Sequence, residues 1–135
     1  MIHYSNAVRN ARCAAIAGAI DAGTGPNASL TIYTGPRAAS VNAPITSQIA
    51  IVELPFPVPS AVSVSGGILT LAPLPETMAT GNGEPSWARI TDRDGNAVAD
   101  LDVGPPDSTA DVILPAGQIY RGALIAITGA TITEP

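Results

Sequence analysis

After Gly23 the chain changes its hydrophobic period from helical to alternating, and from there on glycine and proline interrupt it every few residues. A strand points successive side chains to opposite faces, so this pattern admits short strands and excludes long helices. Ser29-Leu30-Thr31-Ile32-Tyr33-Thr34 alternates cleanly, and Gly35-Pro36 stops it. Ile49 to Leu54 is apolar on both sides apart from Glu53, as a strand between two layers is. Pro55, Pro57 and Pro59 make an extended spacer that cannot join a central ladder. Ala61 to Ser65 and Ile68 to Leu71 flank Gly66-Gly67, a two-residue hairpin signal. Residues 36–47 and 73–85 are rich in turn formers and read as loops.

Ser86 to Val103 reads as a second hairpin around Asp94-Gly95. A two-residue type I′ turn there sets Arg93 opposite Asn96 and Arg89 opposite Asp100. Ala88, Ile90, Ala99, Leu101 and Val103 then share the core face, and Trp87, Arg89, Val98, Asp100 and Asp102 the other. A three-residue loop would turn Asp100 and Asp102 inward, which is costly for unpaired charges. Ala110 to Leu114 reads as a short strand and Pro115-Ala116-Gly117 as a turn. Ile119 to Thr133 reads as one or two strands kinked at Gly129.

Ahead of the strands, residues 5–22 carry a helical pattern. Ser5 or Asn6 can cap its start and Gly23 its end. Val8, Ala11, Ala15, Ile16, Ala19 and Ile20 form a narrow apolar stripe, with Arg9 and Arg12 beside it. Cys13, the only cysteine, excludes an internal disulfide and is expected to be a buried, inert thiol. One helix followed by about seven or eight short strands points to a mainly β fold, an antiparallel β-sandwich or jelly roll with one N-terminal α-helix. The expectation is a single domain over 1–135, with an arm and helix in 1–23 and the β-sandwich in 28–135.

Composition narrows the function classes. The chain is 46% hydrophobic, too apolar for a disordered tail. Its net charge of −5 argues against nucleic-acid binding through a broad basic surface. The apolar stretch Cys13 to Ile20 is Ala-rich, broken by Gly18 and free of leucine, which falls short of a secretory signal core. No apolar run reaches the roughly 18 residues of a membrane span. Only 13% of residues are charged, and all 6 basic residues are arginine; a typical domain carries about 25% charged residues.

Catalytic constellations are thin. The one histidine, His3, lies on a terminal arm, so neither a Ser-His-Asp set nor an activated cysteine is indicated. Asp92-Arg93-Asp94-Gly95 superficially resembles a calcium loop, yet position twelve from Asp92 is Val103 rather than glutamate. Asp100 and Asp102 share one strand face, but nothing marks a sugar cleft beside them. Gly81-Asn82-Gly83 lies between strands and opens no helix, so no phosphate-binding motif or cofactor site is read. The candidate interface residues are Trp87 and Arg89, expected off the core face, together with Arg9, Arg12 and Arg121. The alternative for the first two is that Trp87 covers a second layer and Arg89 simply pairs with Asp100. Arg37, Tyr33 and Tyr120 read as scattered surface.

Taken in order, the capped helix, Leu30-Thr31-Ile32-Tyr33-Thr34-Gly35, Trp87-Ala88-Arg89-Ile90-Thr91-Asp92-Arg93-Asp94-Gly95, Asp100-Leu101-Asp102-Val103-Gly104 and a closing Thr/Ile strand form a recognisable series. It resembles a group of small tailed-bacteriophage virion proteins encoded among head genes. The resemblance implies a β-sandwich or jelly-roll protein that decorates or cements the capsid, made in the bacterial cytoplasm and resident in the phage head. It implies contacts with the major capsid protein or other virion proteins, a dimer or trimer, no nucleic-acid or membrane partner, and no enzymatic activity, cofactor or metal. Head–tail adaptor, tail or fibre component is the alternative within the virion, and a carbohydrate-binding module the alternative outside it. The proline-containing loops at 36–47 and 55–59 depart from the group's pattern and leave the docking surface open.

Overall fold

A computed structural model describes residues 1–115, 117–127 and 129–134. Helix α1 spans Asn6–Ile20, and the Ser5 hydroxyl caps it by accepting from Val8 N at 3.2 Å. Its buried side chains are Cys13 and Ile20, with Ile16 and Ala17 packed behind them. The inner face is therefore rotated from the expected stripe. Val8, Ala11, Ala15 and Ala19 are exposed, and Arg9 lies at the end of the inner row. The row Cys13-Ile16-Ala17-Ile20 has the same helical spacing but larger side chains, so burying it removes more apolar area from water.

The strands are β1 (Ser29–Tyr33), β2 (Ala50–Pro55), β3 (Ala61–Ser65), β4 (Ile68–Leu71), β5 (Thr77–Met78), β6 (Trp87–Thr91), β7 (Ala97–Gly104), β8 (Val112–Ile113), β9 (Leu124–Ile125) and β10 (Gly129–Thr133). Eight of them form one sheet in the order β2-β1-β6-β7-β8-β10-β4-β3, while β5 and β9 form a separate ribbon. The large sheet is curled and mixed rather than purely antiparallel, because β7 and β8 run parallel. Residues 105–111 make that parallel return without a crossover helix. The core gathers Leu30, Ile32, Leu54, Leu69, Ile90 and Val112 from five strands around Phe56, Cys13 and Ile20. The stretch expected as loop at 73–85 contains β5, too short for a period of two to show. Of the expected turn 115–117, Ala116 lies outside the described residues; Gly129 opens β10 rather than kinking a longer strand.

Two hairpins set the registers. Gly66 and Gly67 both take positive φ, +58° and +78°, and close Ser65 against Ile68 as a two-residue type I′ turn does. The Asp94-Gly95 hairpin differs from expectation. Only Gly95 has positive φ (+89°), and Asp92 N donates to Asn96 O at 2.8 Å. The loop thus holds three residues, Arg93 to Gly95. A bulge opposite Ile90–Thr91 absorbs the extra residue, so Arg89 still faces Asp100 and Ala88 still faces Leu101. The charges stay off the core face because the bulge, rather than the turn, resets the register.

Gly95→Ala is expected to destabilise the chain by about 1–2 kcal/mol, the cost of a left-handed conformation for a residue with a Cβ. A denaturant midpoint equal to that of the parent would contradict the three-residue turn.

Candidate functional site

β1, β6 and β7 lie side by side, so their non-core faces bring Tyr33, Trp87, Arg89 and Asp100 together. The Tyr33 and Trp87 rings stack with centroids 4.8 Å apart and planes 21° apart. Arg89 sits over the Trp87 ring, 5.4 Å from its centroid. Its guanidinium forks onto Asp100, with Nε donating to Oδ1 at 2.7 Å and Nη2 to Oδ2 at 3.0 Å. Its remaining N–H groups donate to Ala43 O at 2.8 Å and Ser40 O at 3.2 Å. The cation therefore holds the proline-containing loop 36–47 across this face, and an Arg37–Asp102 ion pair fastens the same loop nearby.

This corrects the exposure expected of Trp87 and Arg89. Trp87 is 1% and Arg89 5% exposed: Trp87 stacks on Tyr33 under Arg89, and Arg89 is bonded to the 36–47 loop. The plain alternative, pairing of Arg89 with Asp100, is what the structure shows. The Trp87 indole N–H has no hydrogen-bond partner, so this side chain acts through packing and its ring face. The hydrogen bonds Arg89 donates to the Asp100 carboxylate raise its pKa against the opposing effect of burial. Burial raises the Tyr33 hydroxyl pKa, with the Arg89 cation acting the other way.

The other expected interface arginines have partners within the chain. Arg9 donates to Glu134 O from Nε at 3.1 Å and from Nη2 at 2.9 Å. Arg12 pairs with the Glu134 carboxylate at 2.9 Å and lies over the Tyr4 ring. Both fasten the end of β10 to α1. Arg121 is exposed, and its Nε donates to Thr80 O at 3.0 Å.

Arg121 borders a surface that sequence reasoning missed. Met78 and Leu124 face each other across the β5–β9 ribbon and are 58% and 61% exposed. Tyr120, 65% exposed, begins the turn that leads into β9. Two-residue strands carry no readable alternation; Met78 stands in a segment of turn formers, while Tyr120 and Leu124 stand in the stretch 119–133 expected as strand. A second exposed apolar group, Ile2, Tyr4 and Val8, lies on the N-terminal arm and the first turns of α1.

The acidic residues near the hairpin turn are occupied structurally. Asp92 Oδ1 accepts from Asp94 N and Asn96 N, both at 2.9 Å. Asp94 Oδ1 accepts from Thr24 N at 3.0 Å and Gly25 N at 3.2 Å, joining the hairpin to the segment after α1. Among the described residues no group of three or more His, Cys, Asp or Glu is placed to hold a metal ion. A cavity of about 310 Å³ between Glu84, Val103, Pro105 and Leu114 offers one carboxylate and no nucleophile. No described helix is long and apolar enough to cross a membrane. Comparison with protein-family models, with curated proteins and with solved structures gives no match to this chain.

Two predictions follow from the buried cluster. Arg89→Met leaves the Asp100 carboxylate unpaired and is expected to cost about 3–5 kcal/mol, whereas Arg89→Met with Asp100→Leu recovers a large part of the loss. Equal losses in single and double variants, read from urea unfolding, would contradict a buried pair. For Tyr33, the unfolded phenol ionises near about pH 10 and the folded one above it. Its stabilising effect is therefore complete below pH 10 and lost as pH rises through the folded pKa. The phenolate absorbance of the parent minus that of Tyr33→Phe should show a midpoint above the ordinary tyrosine value; a midpoint at or below it contradicts the burial.

Proposed function

We propose that this chain is a structural protein of a tailed-bacteriophage virion, a capsid decoration or cement protein that stabilises the assembled head through protein–protein contacts. One observation carries the reading. Met78, Leu124 and Tyr120 stand outside the fold with Arg121 at their border, on a chain with no lysine and 13% charged residues. Aromatic residues, Met and Arg are the types enriched where proteins meet, and a domain living free in solution normally carries more charge. The motif order from the capped helix to the closing Thr/Ile strand supports the same reading. In it, the curled sheet with its ribbon is an open form of the sandwich or jelly-roll body that the resemblance implies.

The mechanism is linkage. A protein that binds only the assembled shell stabilises that shell by RT ln(1 + [L]/Kd) at each site, and the sites sum over the particle. The β5–β9 ribbon is the docking surface in this account. Trp87 and Arg89 contribute indirectly, by holding the loop that closes the sheet.

Mass spectrometry of purified phage particles tests the assignment. The expected result is a copy number comparable with that of the major capsid protein. A copy number far below it indicates an adaptor or tail component, and absence from particles refutes a virion role. Leu124→Asp is expected to weaken particle binding by about ten- to a hundredfold, since burying a leucine contributes about 1.5–3 kcal/mol. It should leave the melting temperature of the free chain unchanged. Unchanged binding would remove the ribbon from the interface.

A further inference from the structure

The eight-stranded sheet ends in two edges, and the chain treats them differently. At the β2 edge Thr80 N and Gly81 N both donate to Ile51 O, at 2.8 and 3.1 Å. A Cβ on Gly81 would stand 2.5 Å from Ala50 O, so glycine is what lets this segment close over the strand. The opposite edge is β3, which pairs only with β4. Just before it, Ser60 N is taken by the Asp21 carboxylate and Ser60 O by Ala72 N. The edge therefore opens at Ala61. Val62 is 61% exposed, and Ser63 and Ser65 are exposed beside it.

Exposed edges are normally blunted by charge, proline or a bulge. β3 reads Ala-Val-Ser-Val-Ser, with neither charge nor proline. Its bulge lies between Ala61 and Ser63, which leaves the Ser63–Ser65 end regular. Charge then selects the occupant. The chain carries a net −5, so two copies repel wherever acidic surfaces meet. α1, β3 and β4, which pack together, contain no Asp or Glu and do contain Arg9 and Arg12. The two carboxylates that lie on this side are engaged within the chain, Asp21 by Ser60 N and Glu134 by Arg12, so identical chains can approach here without bringing free carboxylates together.

We propose that the β3 edge is a self-association surface, on which a second copy of this chain adds its own β3 antiparallel across a two-fold axis. The two sheets become one, and both helices fall on the same side of it. The dimer is closed: both copies use the β3 edge, and the Thr80–Gly81 segment bonded to Ile51 O hinders growth at the β2 edge. This interface is separate from the β5–β9 ribbon and does not rest on the virion reading.

Light scattering coupled to size exclusion tests it on the intact chain. The expected mass is twice the 13.6 kDa of one chain. Ser63→Lys with Ser65→Lys places charge along the edge at exposed positions and should return the mass to that of a monomer. Leu124→Asp should leave it a dimer. Single cysteines at 62, 63, 64 and 65 should form an intermolecular disulfide nearest the two-fold axis, and a cysteine at Gln48 should not. A monomeric parent at all concentrations, a trimer, or a dimer indifferent to the two lysines with no cross-link along β3 would each overturn the proposal. Circular dichroism of the lysine variant must match the parent; if it does not fold, the cysteine series alone decides.

Discussion

The Arg89–Asp100 ion pair couples three parts of the molecule at once. It links the two strands of the central hairpin, supports the Tyr33–Trp87 stack from above and holds the 36–47 loop through the carbonyls of Ser40 and Ala43. An ion pair this well covered returns its desolvation cost only when the geometry is good and the remaining donors are used. Here the fork engages both carboxylate oxygens, and two further N–H groups reach the Ala43 and Ser40 carbonyls. The 36–47 loop is thus tied to this cluster through Ser40 O and Ala43 O.

Much of the fold was legible because its signals were local. Ser5 as helix cap, β1 from its alternation and the Gly66-Gly67 hairpin each rest on a few adjacent residues and appear as read. The facing of Arg89 and Asp100 also appears as read, although the turn behind that argument does not. The sequence pattern required the register, and the chain meets it with a G1-type turn followed by a bulge. Non-local features were hidden. Nothing in the run from Ala110 to Leu114 says that β8 returns parallel to β7. The helix face was misjudged because alanines dominate the stripe; Cys13 and Ala17, from outside it, turn inward with Ile16 and Ile20.

The interface candidates divide along the same line. Residue type identified arginine and tryptophan as special, but type alone does not say whether such a side chain meets a partner or its own chain. Trp87, Arg89, Arg9 and Arg12 all found partners within the molecule, through contacts between segments far apart in sequence. Arg121 remains at the surface, beside Met78, Tyr120 and Leu124, which only the ribbon brings together. The low charge of the chain is then a property of specific places: the α1–β3–β4 side, where Asp21 and Glu134 are held by Ser60 N and Arg12, and the apolar β5–β9 ribbon.

In the role proposed above, this protein meets its partner through the outer ribbon and keeps the Trp87–Arg89 cluster for its own fold. Amide hydrogen exchange of the free chain compared with the chain bound to purified particles tests this directly. The account predicts added protection in residues 77–80 and 120–125 and no change in residues 87–91. Protection gained at 36–47 and 87–91, with the ribbon unchanged, would contradict it.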